Sequence, residues 1–227
     1  MKKIILILFL FLSCYLIYIL TEDKTISYLS LGDTIADNPY IKDNELINEY
    51  NNQYINEDFR IIDLINIIKY NEEITKNNKT VSIHRLLKNT DILLISIGMN
   101  DIYYKLNSDT KNIYTYINEM VNNMDYLLKE INTYSYKKVL VLGYYNINNE
   151  NNDIFTYLNY KMKEVTKKYN YEYIELNNIL KNNPQFYKKN NHFTLNNKGY
   201  NEINKIIVEK LEKCWYNIKC IYYYDLY

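Results

Sequence analysis

Apolar residues along this chain follow two alternating rhythms. Runs that are apolar almost throughout occur at 25–31, 91–97, 139–142 and 171–176. Between them, apolar residues recur every three or four positions, most clearly as Ile113, Ile117, Met120, Val121, Met124, Leu127, Leu128 and Ile131. The first rhythm is that of strands buried on both faces, the second that of helices with one apolar side. The pattern predicts strands over those four runs, with a short one within 57–60. It predicts helices over 44–55, 63–74, 81–88, 109–133, 153–169 and 196–211, and a turn at 76–79. Strands that alternate with helical crossovers predict an α/β domain with a central parallel sheet and helices on both faces. No internal repeat or interdomain linker interrupts it.

A different pattern precedes the first strand. Met1-Lys2-Lys3 leads into an almost purely apolar stretch from Ile4 to Leu20, closed by Thr21-Glu22-Asp23-Lys24. Seventeen helical residues rise about 25 Å, enough to cross a thin bilayer. Lysines before the run and acids after it orient the following domain outward. A signal anchor fits best, because no small-residue cleavage site follows the run. A cleaved signal peptide is one alternative, and a lipoprotein at Cys14 is another. The expected organisation is a membrane segment over 1–23, a domain over 24–213 and an aromatic tail over 214–227. The expected location is extracytoplasmic and membrane-anchored, on a bacterial cell surface.

Composition narrows the function classes. The chain has 227 residues, with 27 basic and 27 acidic side chains. That balance, without a basic stripe, argues against nucleic-acid binding. The 28 tyrosines are scattered, unlike a base-stacking platform. They accompany an excess of Asn, Lys and Ile that reflects an AT-rich coding sequence. Cys214 and Cys220 either pair or remain thiols. No histidine or further cysteine lies near them, so no metal site is expected there.

Candidate chemistry lies at the strand ends. Only four glycines occur. Gly32 and Gly98 follow the first and third predicted strands, Gly143 the next, and Gly199 follows His192 by seven residues. In open α/β sheets, sites form beyond the carboxyl ends of strands. Thr34 and Asn100 stand at two of these ends, and His192 stands in a predicted loop before the last helix. A hydroxyl, an amide donor and an imidazole at one sheet edge suit acyl transfer. A backbone N–H at Thr34, at the start of a helix, would help hold an oxyanion. Asp33 and Asp101 read as acceptors that fix loops, and His84 as a surface or packing residue.

Leu31-Gly-Asp-Thr34, Ile97-Gly-Met-Asn-Asp101 and His192 with Gly199-Tyr200 resemble blocks I, III and V of the SGNH/GDSL hydrolases, over roughly residues 25–212. The resemblance implies a flavodoxin-like three-layer α/β/α sandwich. It implies hydrolysis of carboxylic esters, of acyl lipids or acetylated glycans, with no metal or other cofactor. It places Thr34 as nucleophile, Asn100 as oxyanion donor and His192 as base, supported by Asp33, Gly98, Asp58 and Asn190. Three of these positions depart from the family pattern. Thr34 replaces serine, and its methyl restricts χ1 and crowds attack. Asp58 stands where block II has glycine, bringing a carboxylate toward a developing negative charge. Lys189 and Asn190 stand where an aspartate precedes the histidine, and losing that partner in a serine protease costs about 10⁴ in turnover. The expected function is therefore ester hydrolysis of low or altered activity. The alternative is an inactive relative that binds a glycan, lipid or partner protein at the cell surface.

Overall fold

The computed structural model describes residues 27–33, 51–56, 58–76, 79–136, 138–146, 151–181, 183–188 and 191–224, without the side chains of 51–55, 75, 76, 79, 191–194 and 212–224. The membrane segment expected over 1–23 lies outside these residues. Among the described residues, no helix is long and apolar enough to cross a membrane.

Among the described residues, five strands form the central sheet: β1 (Tyr28–Gly32), β2 (Asn51–Ile55), β5 (Ile92–Ser96), β6 (Lys138–Leu142) and β7 (Glu172–Ile174). They are ordered β2-β1-β5-β6-β7, and every pairing is parallel. Counted along the chain, that order is 2-1-3-4-5, the flavodoxin-like arrangement. All residues of β1 and β5 are buried, so both faces of the sheet centre are covered. The covering helices are α1 (Ile61–Lys69), α2 (Ile83–Lys88), α3 (Met99–Ser108), α4 (Ile113–Ile131), α5 (Asn152–Lys168), α6 (Asn177–Leu180) and α7 (Asn197–Tyr224). Two antiparallel hairpins stand apart, β3 (Glu73–Lys76) with β4 (Lys79–Ser82), and β8 (Tyr187–Lys188) with β9 (Asn191–Leu195).

The long helix shows how pattern becomes packing. Ile113, Ile117, Met120, Met124, Leu127, Leu128 and Ile131 of α4 are all buried, while Val121 is only partly so. Burying such side chains contributes about 1.5–3 kcal/mol each before ordering costs.

Several elements differ from the sequence expectation. The helix expected over 44–55 is a strand where it is described, at Asn51–Ile55. Among the described residues β2 is an edge strand, paired only with β1, and its polar sequence carries no strand rhythm. The strand expected within 57–60 is not seen in its described residues 58–60, which form the turn into α1. α1 stops at Lys69, and Asn71 takes positive φ (50°). The chain then enters a hairpin around the expected turn. α3 is an additional helix immediately after β5, and Asp109, expected to open the long helix, caps the end of α3. The last helix does not end near Leu211 but runs to Tyr224, so most of the expected tail is helical.

Candidate active site at the carboxyl edge of the sheet

Gly32, Ser96, Leu142 and Ile174 end their strands at one edge, and the loops beyond them are tied together by buried hydrogen bonds. The Asp33 N–H donates to the Ser96 carbonyl (2.7 Å), and Ser96 Oγ donates to Asp33 Oδ1 (2.7 Å). The closeness of β1 to β5 here requires glycine. Gly32 has φ +129°, and a Cβ there would lie 1.7 Å from the Ser96 carbonyl oxygen. Gly98, at φ +103°, would place a Cβ 2.5 Å from the Tyr144 hydroxyl, which donates to the Ile97 carbonyl (3.0 Å). Gly98 thus supports the site by letting the loop after β6 close over the loop after β5.

Asn100 and Asp101 open α3 and face the turn that precedes α1. Asn100 Nδ2 donates to the Phe59 carbonyl (2.8 Å), and Asp101 Oδ2 accepts the Ile61 N–H (3.1 Å). Asp101 is buried, which pushes its carboxyl from 3.8 to about 6, against the lowering effect of the Ile61 N–H and Arg60. Both side chains hold the β2–α1 turn to the β5–α3 junction, while the Asp33 carboxylate accepts from Ser96 across the ends of β1 and β5. Asp58 lies in the same turn, exposed, with its N–H given to Asn56 Oδ1 (3.1 Å).

The opposite side of the edge carries the histidine. Tyr145, just beyond β6, stacks on Tyr187 of β8, with ring centroids 6.2 Å apart. Tyr103 of α3 donates to the Tyr145 carbonyl (3.3 Å). This seats the β8–β9 hairpin at the carboxyl edge. The sequence expectation put His192 in a loop, but it lies within β9; the pairing of Lys188 with Asn191 forms the strand there. Asn196 then caps α7, accepting from the Lys198 and Gly199 N–H groups (2.9 and 3.2 Å). Thr34, Asn190 and the His192 side chain lie outside the described structure. The backbone therefore brings Asp33, Asn100, Asp58 and the strand of His192 to one edge of the sheet.

Sequence reasoning missed the hub beneath this edge. Asn159 of α5 is buried; its Oδ1 accepts the Tyr144 N–H (2.9 Å) and the Tyr173 hydroxyl (2.5 Å), and its Nδ2 donates to the Tyr144 and Phe155 carbonyls (2.9 Å each). The signal was an asparagine on the buried face of α5, beside Phe155, Leu158 and Met162. Asn177 plays a similar part, accepting the Asn146 N–H (2.9 Å). His84 is a packing residue, with Nε2 on the Ile68 carbonyl (2.7 Å) and its ring edge-to-face with Tyr134. Among the described residues, no cluster of three or more His, Cys, Asp or Glu could hold a metal ion.

No protein-family model matches the chain, and no curated protein matches it. Solved structures do. A lipase from a goat rumen metagenome superposes with a TM-score of 0.62 at 16% identity, covering 84% of this chain and 97% of the lipase. An acetyl xylan esterase superposes with a TM-score of 0.58 at 15% identity, covering 82% and 99%. A putative GDSL-like lipase from Parabacteroides merdae gives 0.55 at 12% identity, covering 82% and 95%. At such identities the shared property is the fold.

Proposed function

With the SGNH/GDSL hydrolase-like fold as its premise, we propose that this chain hydrolyses carboxylic esters at the carboxyl edge of its sheet. The observation that carries the reading is convergence: the chain leaving β1 toward Thr34, the start of α3 with Asn100, and the strand bearing His192 meet at one edge. That is where open α/β sheets bind ligands. Thr34 attacks the ester carbonyl, His192 takes the hydroxyl proton and gives it to the leaving alcohol, and Asn100 with the Thr34 N–H holds the oxyanion; water, deprotonated by His192, then attacks the acyl-threonine, and the acid leaves as the Thr34 hydroxyl takes back its proton. The fold neighbours, a lipase and an acetyl xylan esterase, support an acyl lipid or an acetylated glycan as substrate. The apolar run at 4–20 holds the domain, over 24–213, on the outer side of the membrane.

The activity is low by design of its residues. Threonine crowds the nucleophile, and Lys189 and Asn190 leave the imidazole without an aspartate from that segment. One structural observation favours the second reading, an inactive relative that binds acylated glycan, lipid or protein. Asn100 Nδ2 is committed to the Phe59 carbonyl, so its amide serves the fold as well as any oxyanion.

Hydrolysis of p-nitrophenyl acetate separates the two. The hydrolase reading expects slow turnover that Thr34→Ala and His192→Ala each abolish. It also expects Thr34→Ser with Asp58→Gly and Asn190→Asp to raise turnover about 10²-fold, the scale of one restored oxyanion donor. Turnover absent in the parent and in the triple variant assigns the edge to binding.

A further inference from the structure

Both ends of the domain leave it at the same edge of the sheet. The five strands are parallel, so Tyr28, the first residue of β1, marks the amino edge, opposite the proposed esterase site. The apolar run at 4–20 joins the domain at that edge, through residues 21–27. The last helix, α7, travels the other way. It starts after Asn196, whose amide donates to the Gln185 and Tyr187 carbonyls at the carboxyl edge (2.7 and 2.9 Å). It reaches the amino edge at Lys210, which pairs with Glu172, the first residue of β7 (2.6 Å). Ile203, Ile207 and Leu211 are buried along the way. The helix does not stop there. It has 28 residues and ends at Tyr224, so about 20 Å of helix follows Leu211. No glycine or proline occurs between 212 and 224 to end it earlier.

We propose that the extension of α7 beyond Leu211 lies in the interface of the bilayer that the N-terminal run enters, as a second membrane contact that does not span. The inference rests on the anchoring proposed above for residues 4–20. Residues 21–27 reach at most about 25 Å even when fully extended, so the amino edge, and the extension that leaves it, stay close to the membrane surface. The sequence suits that position. The buried stripe of α7 continues past Leu211 at helical spacing, through Trp215, Ile218, Ile221 and Tyr222. Glu212, Lys213, Asn217 and Lys219 fall at other positions of the turn. Tryptophan and tyrosine favour the headgroup level of a bilayer, and lysine stems are long enough to carry their charge out to water. The rise of about 20 Å is short of a hydrocarbon core of about 30 Å, which makes the extension interfacial. A second copy, pairing through the same stripe, is the competing occupant. The edge shared with the N-terminal run favours the bilayer, and it turns the carboxyl edge away from the membrane.

Trp215 is the chain's one tryptophan, so its fluorescence reports on the extension alone. The full chain is reconstituted into phosphatidylcholine–phosphatidylglycerol vesicles, with or without lipids brominated near the headgroup, and flotation shows whether it is membrane-bound. Bromine should remove about half of the Trp215 emission or more, because an interfacial helix buries its apolar face about 5–10 Å deep. Iodide, supplied on both sides of the membrane, should quench little. Ile218→Lys with Ile221→Lys puts charge on the stripe and should restore most of the emission, while the chain still floats through residues 4–20. A floating chain whose Trp215 bromine does not quench overturns this proposal and leaves the anchor standing, whether iodide reaches Trp215 or a second copy shields it. Bromine quenching that the double variant leaves unchanged overturns it as well. A chain that does not float overturns the anchor and this proposal together.

Discussion

At the carboxyl edge, loops are joined by buried hydrogen bonds: the Ser96 hydroxyl to the Asp33 carboxylate, Asp101 from the Ile61 N–H, the Tyr144 hydroxyl to the Ile97 carbonyl, and Asn159 with the backbone N–H and carbonyl of Tyr144. At the amino edge, partly exposed ion pairs do the joining. Glu172 receives Lys138 and Lys210 (2.5 and 2.6 Å), and Asp125 receives Lys168 (2.8 Å). Burial works against the charge of Glu172, but its two lysines outweigh that and hold its carboxyl below the usual range. The difference teaches where rigidity is needed. Buried, directional bonds fix loop positions closely, as a reacting site requires, while exposed pairs are screened and worth little.

The sharpest way to break the contrast is at Gly32. Gly32→Ala forces a Cβ into the Ser96 carbonyl at a backbone angle that L-residues avoid. The loss should exceed about 4 kcal/mol, seen as absent cooperative melting. Next is Asn159→Leu, which keeps the volume but strands the Tyr144 N–H and carbonyl. It should cost about 3 kcal/mol in chemical denaturation. An unchanged midpoint would remove Asn159 as the hub.

A third test uses pH. Asp101 binds its proton more tightly folded, at about 6 against an ordinary 3.8. Its contribution to stability is therefore fully present below pH 3.8 and is lost as pH rises to about 6. Asp101→Asn keeps an acceptor for the Ile61 N–H and should flatten that part of the stability profile. The smallest effect belongs to the amino edge. Lys210→Met should cost under about 1 kcal/mol, less still at high salt.

The same contrast governs how legible the chain was. β1, β5 and β6 were readable because strands covered on both faces are apolar throughout. The Gly32 and Gly98 neighbourhoods were readable because glycine is so scarce here. β2 was not, since an edge strand is defined by its backbone ladder to β1 and Asn51-Asn-Gln-Tyr-Ile55 has no period. α3 was missed because only Met99, Asp101 and Ile102 of its ten residues are buried, too few to set a rhythm. The sequence pattern puts Asn100 at the carboxyl edge, but its bond to Phe59 arises from a loop 41 positions away, which no local pattern encodes. His192 was assigned to a loop because β8, its partner, is two residues long.

The central claim, that the carboxyl edge is an ester-hydrolysing site built on Thr34 and His192, is tested most directly by covalent capture. The full chain is treated with a fluorophosphonate, which phosphonylates an activated hydroxyl with loss of fluoride, and its peptides are read by mass spectrometry. The account predicts an adduct on Thr34 that disappears in His192→Ala. An unmodified Thr34 at saturating reagent, or an adduct that persists without His192, would contradict it.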